Sequence, residues 1–159
     1  MSTPTAATPL ASLAGRWRGT SRLFTPWTTP AEHDSDTTAV VTPIGRGNFV
    51  TVAYTWSHEG KPCNGLLFIG HETKREVAHA SWVDSWHQHE HPLTCVGEVD
   101  ASGALSVRGS YPAPEGPPWS WRIAIETPDA ATFRILMYNV TPEGEEMPAV
   151  ESRYARDDA

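Results

Sequence analysis

The sequence predicts an all-β protein: a single closed, antiparallel, up-and-down β-barrel of about ten strands. Three observations carry that expectation. Runs of strand length follow one another from Gly15 almost to the C-terminus. The segments between them are short and rich in turn residues, in a chain holding 12 glycines and 14 prolines among 159 residues. Short links join only antiparallel neighbours, and a long succession of hairpins loses its exposed edges by closing on itself. A two-sheet sandwich needs long crossing connections instead, and only 25–34 and 112–118 are candidates for one.

Element by element, residues 1–14 form a lead-in rich in Thr, Ala and Pro, with 10–14 read as one helical turn closing a barrel end. The barrel domain then spans 15–156. Its strands are expected at 15–23, 35–42, 48–57, 63–70, 77–86, 93–99, 104–111, 118–126, 131–139 and 147–155. Gly45-Arg46-Gly47, Glu59-Gly60-Lys61-Pro62 and Asp100-Ala101-Ser102-Gly103 supply turn chemistry between them, as do Thr127-Pro128-Asp129 and Thr141-Pro142-Glu143-Gly144. In each, Gly allows positive φ, Pro fixes φ, and Asp or Ser folds back on the backbone.

Composition narrows the partners. Hydrophobic residues make up only 39%, but seven tryptophans add large buried areas. The formal charge of −7, with no Lys/Arg-rich stripe, argues against nucleic acid. The first residues lack a basic and then apolar signal pattern, and no apolar run approaches the roughly 18 residues of a spanning helix. The expectation is a cytoplasmic protein without a membrane partner, with Cys63 and Cys95 reduced.

The first strand reads Gly15-Arg16-Trp17-Arg18-Gly19, which resembles the Gly-x-Trp signature of lipocalins and fatty-acid-binding proteins. That resemblance implies a lipocalin/calycin-like barrel in which the Trp plugs the closed end under a basic side chain of the last strand, here Arg153 or Arg156. A longer series is similar to a bacterial family of unknown function with a calycin-type barrel. It comprises Arg46-Gly47-Asn48-Phe49-Val50, Tyr54-Thr55-Trp56, Gly65-Leu66-Leu67, Trp82-Val83-Asp84-Ser85-Trp86-His87, Gly109-Ser110-Tyr111, Trp121-Arg122-Ile123, Met137-Tyr138-Asn139 and Glu151-Ser152-Arg153-Tyr154. A more distant likeness is to nitrobindins, which imply haem held by a histidine late in the chain. No histidine follows His91, so that ligand has no matching position and haem is not expected.

Strand alternation selects the candidate site. In the fifth run Ala80, Trp82, Asp84 and Trp86 share one face, opposite His79, Ser81, Val83, Ser85 and His87. The third run carries Val50, Val52, Tyr54 and Trp56 on one face, and the eighth Trp119, Trp121, Ile123 and Ile125. Pointing the bulky rows inward lines the lumen with Tyr54, Trp56, Trp82, Trp86 and Trp121. Asp84 among indole rings needs a partner such as Arg122, Arg134 or Arg153, or else its pKa rises. It reads either as the polar anchor of a pocket or as a structural cap or ion pair. His87, His89 and His91 alternate on one extended face and are candidate metal ligands, with His79 or Glu90 as a fourth group. The competing reading is a polar hairpin tip, with His33, His58 and His71 as ordinary residues near turns.

These residues point to binding of a small apolar or aromatic molecule in an aromatic-lined cavity, with Asp84 and His87 at its polar end. The alternative is an enzyme in the same cavity, isomerase- or cyclase-like, with Asp84 or His87 as general acid or base. A third reading is an interaction module with exposed tryptophans, and a homodimer belongs among the candidate assemblies. No cofactor is expected beyond a metal at the histidines.

Overall fold

Ten strands run in a ring in which each pairs antiparallel with its chain neighbours, and the first pairs with the last. The structure is a computed structural model and describes residues 8–158. A helical turn, α1 (Thr8–Ala11), leads into β1 (Gly15–Phe24), β2 (Glu32–Ile44), β3 (Phe49–His58), β4 (Lys61–Glu72) and β5 (Val77–Asp84). After these come β6 (Gln88–Val99), β7 (Leu105–Tyr111), β8 (Trp119–Asp129), β9 (Thr132–Val140) and β10 (Glu146–Arg156). The β1–β10 pairing, from Trp17↔Arg156 to Leu23↔Val150, closes the barrel. Among the described residues, no helix is long and apolar enough to cross a membrane.

Alternation sets the core. On β3, Val50, Val52, Tyr54 and Trp56 are buried while their neighbours face outward. Facing rows include Leu67 and Ile69 on β4, Ile123 and Ile125 on β8, and Phe133, Ile135 and Met137 on β9. The segment 25–34 is not a crossing connection, because β2 already begins at Glu32 and pairs along β1.

One end of the barrel is plugged. Leu10 and Leu13 are buried there with Trp17, whose indole N–H donates to the Leu13 carbonyl at 2.8 Å. Phe133 meets Trp17 edge-on at 4.7 Å and stacks on Tyr154 at 4.6 Å. The lid over Trp17 is Arg156, its guanidinium 4.3 Å from the ring centroid and bonded to the carbonyls of Ala14 and Ser12. Arg153 instead points outward to Glu151. The opposite end carries the candidate site.

Candidate functional site

Three strands deliver the predicted aromatic residues to the same end of the lumen. Tyr54 and Trp56 come from β3, Trp82 and Asp84 from β5, and Trp121 from β8, all buried. Trp82 and Trp121 stack in parallel, with centroids 5.1 Å apart.

Asp84 finds donors rather than a cation. Its Oδ2 accepts from the Tyr54 hydroxyl at 2.6 Å and the Trp56 indole N–H at 3.2 Å. Its Oδ1 accepts from the backbone N–H groups of Trp86 and His87 at 2.9 and 3.1 Å. The Trp82 indole N–H completes the chain by donating to the Tyr54 oxygen at 2.9 Å. Arg122, Arg134 and Arg153, the partners considered from sequence, are instead paired outside the lumen with Glu146, Glu126 and Glu151. A carboxylate with two donors on each oxygen has its acceptor sites filled and caps the turn. Burial, and next the charge of Asp84, hold the Tyr54 phenol well above its ordinary pKa.

That capped turn redirects the chain beyond Asp84. The fifth strand ends at Asp84 instead of continuing to 86, so the alternation stops. Trp86 therefore leaves the inward row and is 38% exposed, touching Trp56 with its ring edge at a 6.0 Å centroid distance. His87 is turned in instead, 5.7 Å from Trp56, 5.9 Å from Trp82 and 5.3 Å from Trp121 between ring centroids. Ser85 lies outside, its hydroxyl accepting from the Asn64 N–H, so no Ser–His pair forms.

The sixth strand starts earlier than its sequence suggests, at Gln88. Pairing jumps from Trp82↔Leu93 to Asp84↔Gln88, which loops out 89–92 opposite Val83 alone. His89 and His91 are exposed, and with His87, Gln88 and Glu90 they border an open hollow at the surface; His79 sits apart on β5, bonded to Glu72. Among the described residues, no group of three or more His, Cys, Asp or Glu side chains is placed to hold a metal ion.

Three spaces adjoin His87, one of them the open surface hollow of about 260 Å³ shared with Gln88, His89, Glu90 and His91. Inside the lumen, Tyr54, Trp56, Asp84, Ile135, Met137 and Tyr154 help enclose about 10 Å³, room for roughly one water. At the mouth, Trp82, Gln88, Leu93, Tyr111, Trp121 and Asn139 line about 180 Å³. The rings brought by the tryptophans fill most of the width that ten strands provide, so the larger of these two spaces lies at the mouth. His87 lines the lumen space and the mouth space alike.

Three ring nitrogens around this region are sealed from solvent without a hydrogen-bond partner: His87 Nε2, Trp121 Nε1 and His58 Nδ1. Burial, only partly offset by the charge of Asp84, pushes the His87 pKa down to about 4, so the ring is neutral at pH 7. His58 is not the ordinary surface residue expected from its place near a turn. Its side chain is 16% exposed and packs between Trp86, at 5.6 Å, and His33, at 4.9 Å. Its sequence position carries the signal, since His58 continues the Tyr54–Trp56 row. The same parity identifies Tyr111 beyond Leu105 and Val107, and Asn139 beyond Ile135 and Met137; Tyr111 donates to Asn139 across the mouth.

Among solved structures, the chain is similar to Rv2717c from M. tuberculosis, with a TM-score of 0.65 and 13% identity over 98% of this chain and 99% of that one. A redesigned β-barrel matches with a TM-score of 0.49 and 11% identity, over 99% of this chain and 100% of that one. No curated protein sequence matches. The family model described as "Protein of unknown function (DUF1579)" matches residues 5–156, nearly the whole barrel chain, and the protein belongs to that family.

Proposed function

We propose that the barrel binds a small, flat, largely apolar molecule at its mouth, with a hydrogen-bonding group directed at His87. The observation that carries this reading is the unpartnered Nε2 of His87, sealed from solvent in the wall shared by the lumen and mouth spaces. A buried polar atom without a partner costs on the order of 1–3 kcal/mol, and a ligand that bonds it recovers that loss. Trp121 Nε1, also unpartnered, offers a donor from the other side of the same pocket. The stacked Trp82 and Trp121 rings and Leu93 supply apolar walls, the pattern of a small-molecule site with few polar groups. Asp84 serves as the scaffold that turns His87 inward.

Calorimetric titration with 2-naphthol, a flat apolar body with one hydroxyl, tests this. Saturable binding of one molecule per chain is expected, weakened at least about tenfold by either His87→Ala or Trp121→Ala, since each removes about 1.4 kcal/mol or more. Absence of saturable binding, or equal binding by both variants, would remove the mouth as the site for this class.

A further inference from the structure

Most ion pairs on the outside of the barrel lie on one side of it. Ion pairs Arg22–Asp34, Arg153–Glu151, Arg134–Glu126 and Arg122–Glu146 occupy the strands β1, β2, β8, β9 and β10. Across β2 to β6 the outward positions fall into cross-strand rows. Inside the border that Glu72 and Glu98 form toward the plugged end lie Ile44, Phe49, Gly70, His79 and Val96. The next row is Thr42, Thr51, Phe68, Ser81 and Thr94. The third is Val40, Ala53, Leu66 and Val83. None of these positions is Asp, Glu, Lys or Arg, in a chain with 12 Lys and Arg and 19 Asp and Glu residues. Among the described residues, six of the eight exposed large hydrophobics stand here: Val40, Ile44, Phe49, Leu66, Phe68 and Val96.

The face carries its two largest apolar side chains as a stacked pair. Phe49 and Phe68 lie nearly parallel, with centroids 5.4 Å apart and an interplanar angle of 14°. The Phe49 ring covers Gly70, its register partner, where a Cβ would fall 2.9 Å from the ring. Five strands spaced ~4.8 Å apart and three rows spaced ~6.6 Å apart give a patch of about 20 by 15 Å. That is the scale of the apolar centre of an interface burying about 800 Å² per partner.

We propose that this face of β2–β6 is the docking surface for a second copy of the chain, packed face to face about a twofold axis. Charge selects the occupant. With a net charge of −7, two copies repel wherever their carboxylates approach, and this face presents none at its centre. A basic partner would find no carboxylate there to pair with. A twofold contact needs only that the patch complement itself, which a neutral, apolar face can do. The closed ring leaves no strand edge for the alternative of pairing through a shared sheet. At the plugged-end border, His79 is held by Glu72, which also pairs with Arg75, so the titratable groups stand at the rim.

Sedimentation equilibrium over a concentration series reads the mass directly. The full chain is expected to sediment as two copies, and Phe68→Glu or Val96→Lys is expected to weaken the dimer at least ~30-fold, the loss of a single strong interface residue. Both positions face outward, so melting temperatures should stay near the wild-type value; if Phe68→Glu does not fold, Val96→Lys decides. A wild-type monomer throughout the series would overturn the proposal, as would a dimer that neither substitution weakens. A monomer that co-floats with phosphatidylcholine vesicles, and stops doing so in Phe68→Glu, would overturn it in favour of a lipid surface.

Discussion

The phenol of Tyr54 lies across Gly65, its register partner on the adjacent strand, so closely that a Cβ at position 65 would fall 2.2 Å from the phenolic oxygen. The missing side chain is what lets the hydroxyl reach Asp84 at 2.6 Å and accept from Trp82 at 2.9 Å. The polar network under the mouth thus rests on one glycine of β4.

Gly65→Ala is expected to displace the Tyr54 ring and destabilise the barrel by about 1–3 kcal/mol, the usual cost of overpacking a closed site. Urea unfolding gives the stability, and near-UV circular dichroism reports the tryptophan environment. Wild-type values in both would show that Tyr54 holds its place without this approach.

Asp84→Asn keeps the shape and removes the charge. Both carboxylate oxygens accept two bonds, so the amide nitrogen of asparagine must face N–H or O–H donors on one side. A loss of about 2–4 kcal/mol is expected. Tyr54→Phe should cost less, about 1–3 kcal/mol, because it chiefly strands the Trp82 indole N–H. If Asp84→Asn unfolds at the wild-type urea midpoint, the four bonds contribute nothing net.

His87 makes stability depend on pH in one direction. Its pKa in the fold is about 4 against an ordinary 6.5, with burial as the main cause. Between those values the unfolded chain takes a proton that the folded one refuses. The contribution is complete above pH 6.5, declines as the pH falls and is gone below about 4, a change of about 3 kcal/mol. The wild-type urea midpoint should therefore fall more steeply than that of His87→Gln over this window. Parallel curves would place the His87 ring in water.

Most strand positions were readable because period-two alternation and turn residues are local properties. The row Val50, Val52, Tyr54, Trp56 faces inward as its pattern demands. Where alternation stopped, local pattern failed. The row Trp82, Asp84, Trp86 reads as continuous, yet Asp84 captures the backbone N–H groups of Trp86 and His87 and bends the chain there. The His87-to-His91 series reads as one continuous strand face, but the register jump loops 89–92 out while His87 belongs to the turn before β6.

By itself the sequence determined the all-β class, the succession of hairpins and the inward Tyr54–Trp56 row, because periodicity and turn chemistry act over a few residues; the Trp17 plug was legible only through the Gly-x-Trp resemblance. Only the tertiary structure decided that Arg156 covers Trp17, that Asp84 meets Tyr54 and Trp56, and that His87 rather than Trp86 turns inward. Those relations depend on barrel register and on how many donors converge on one buried carboxylate. Both are set by strands distant in the chain.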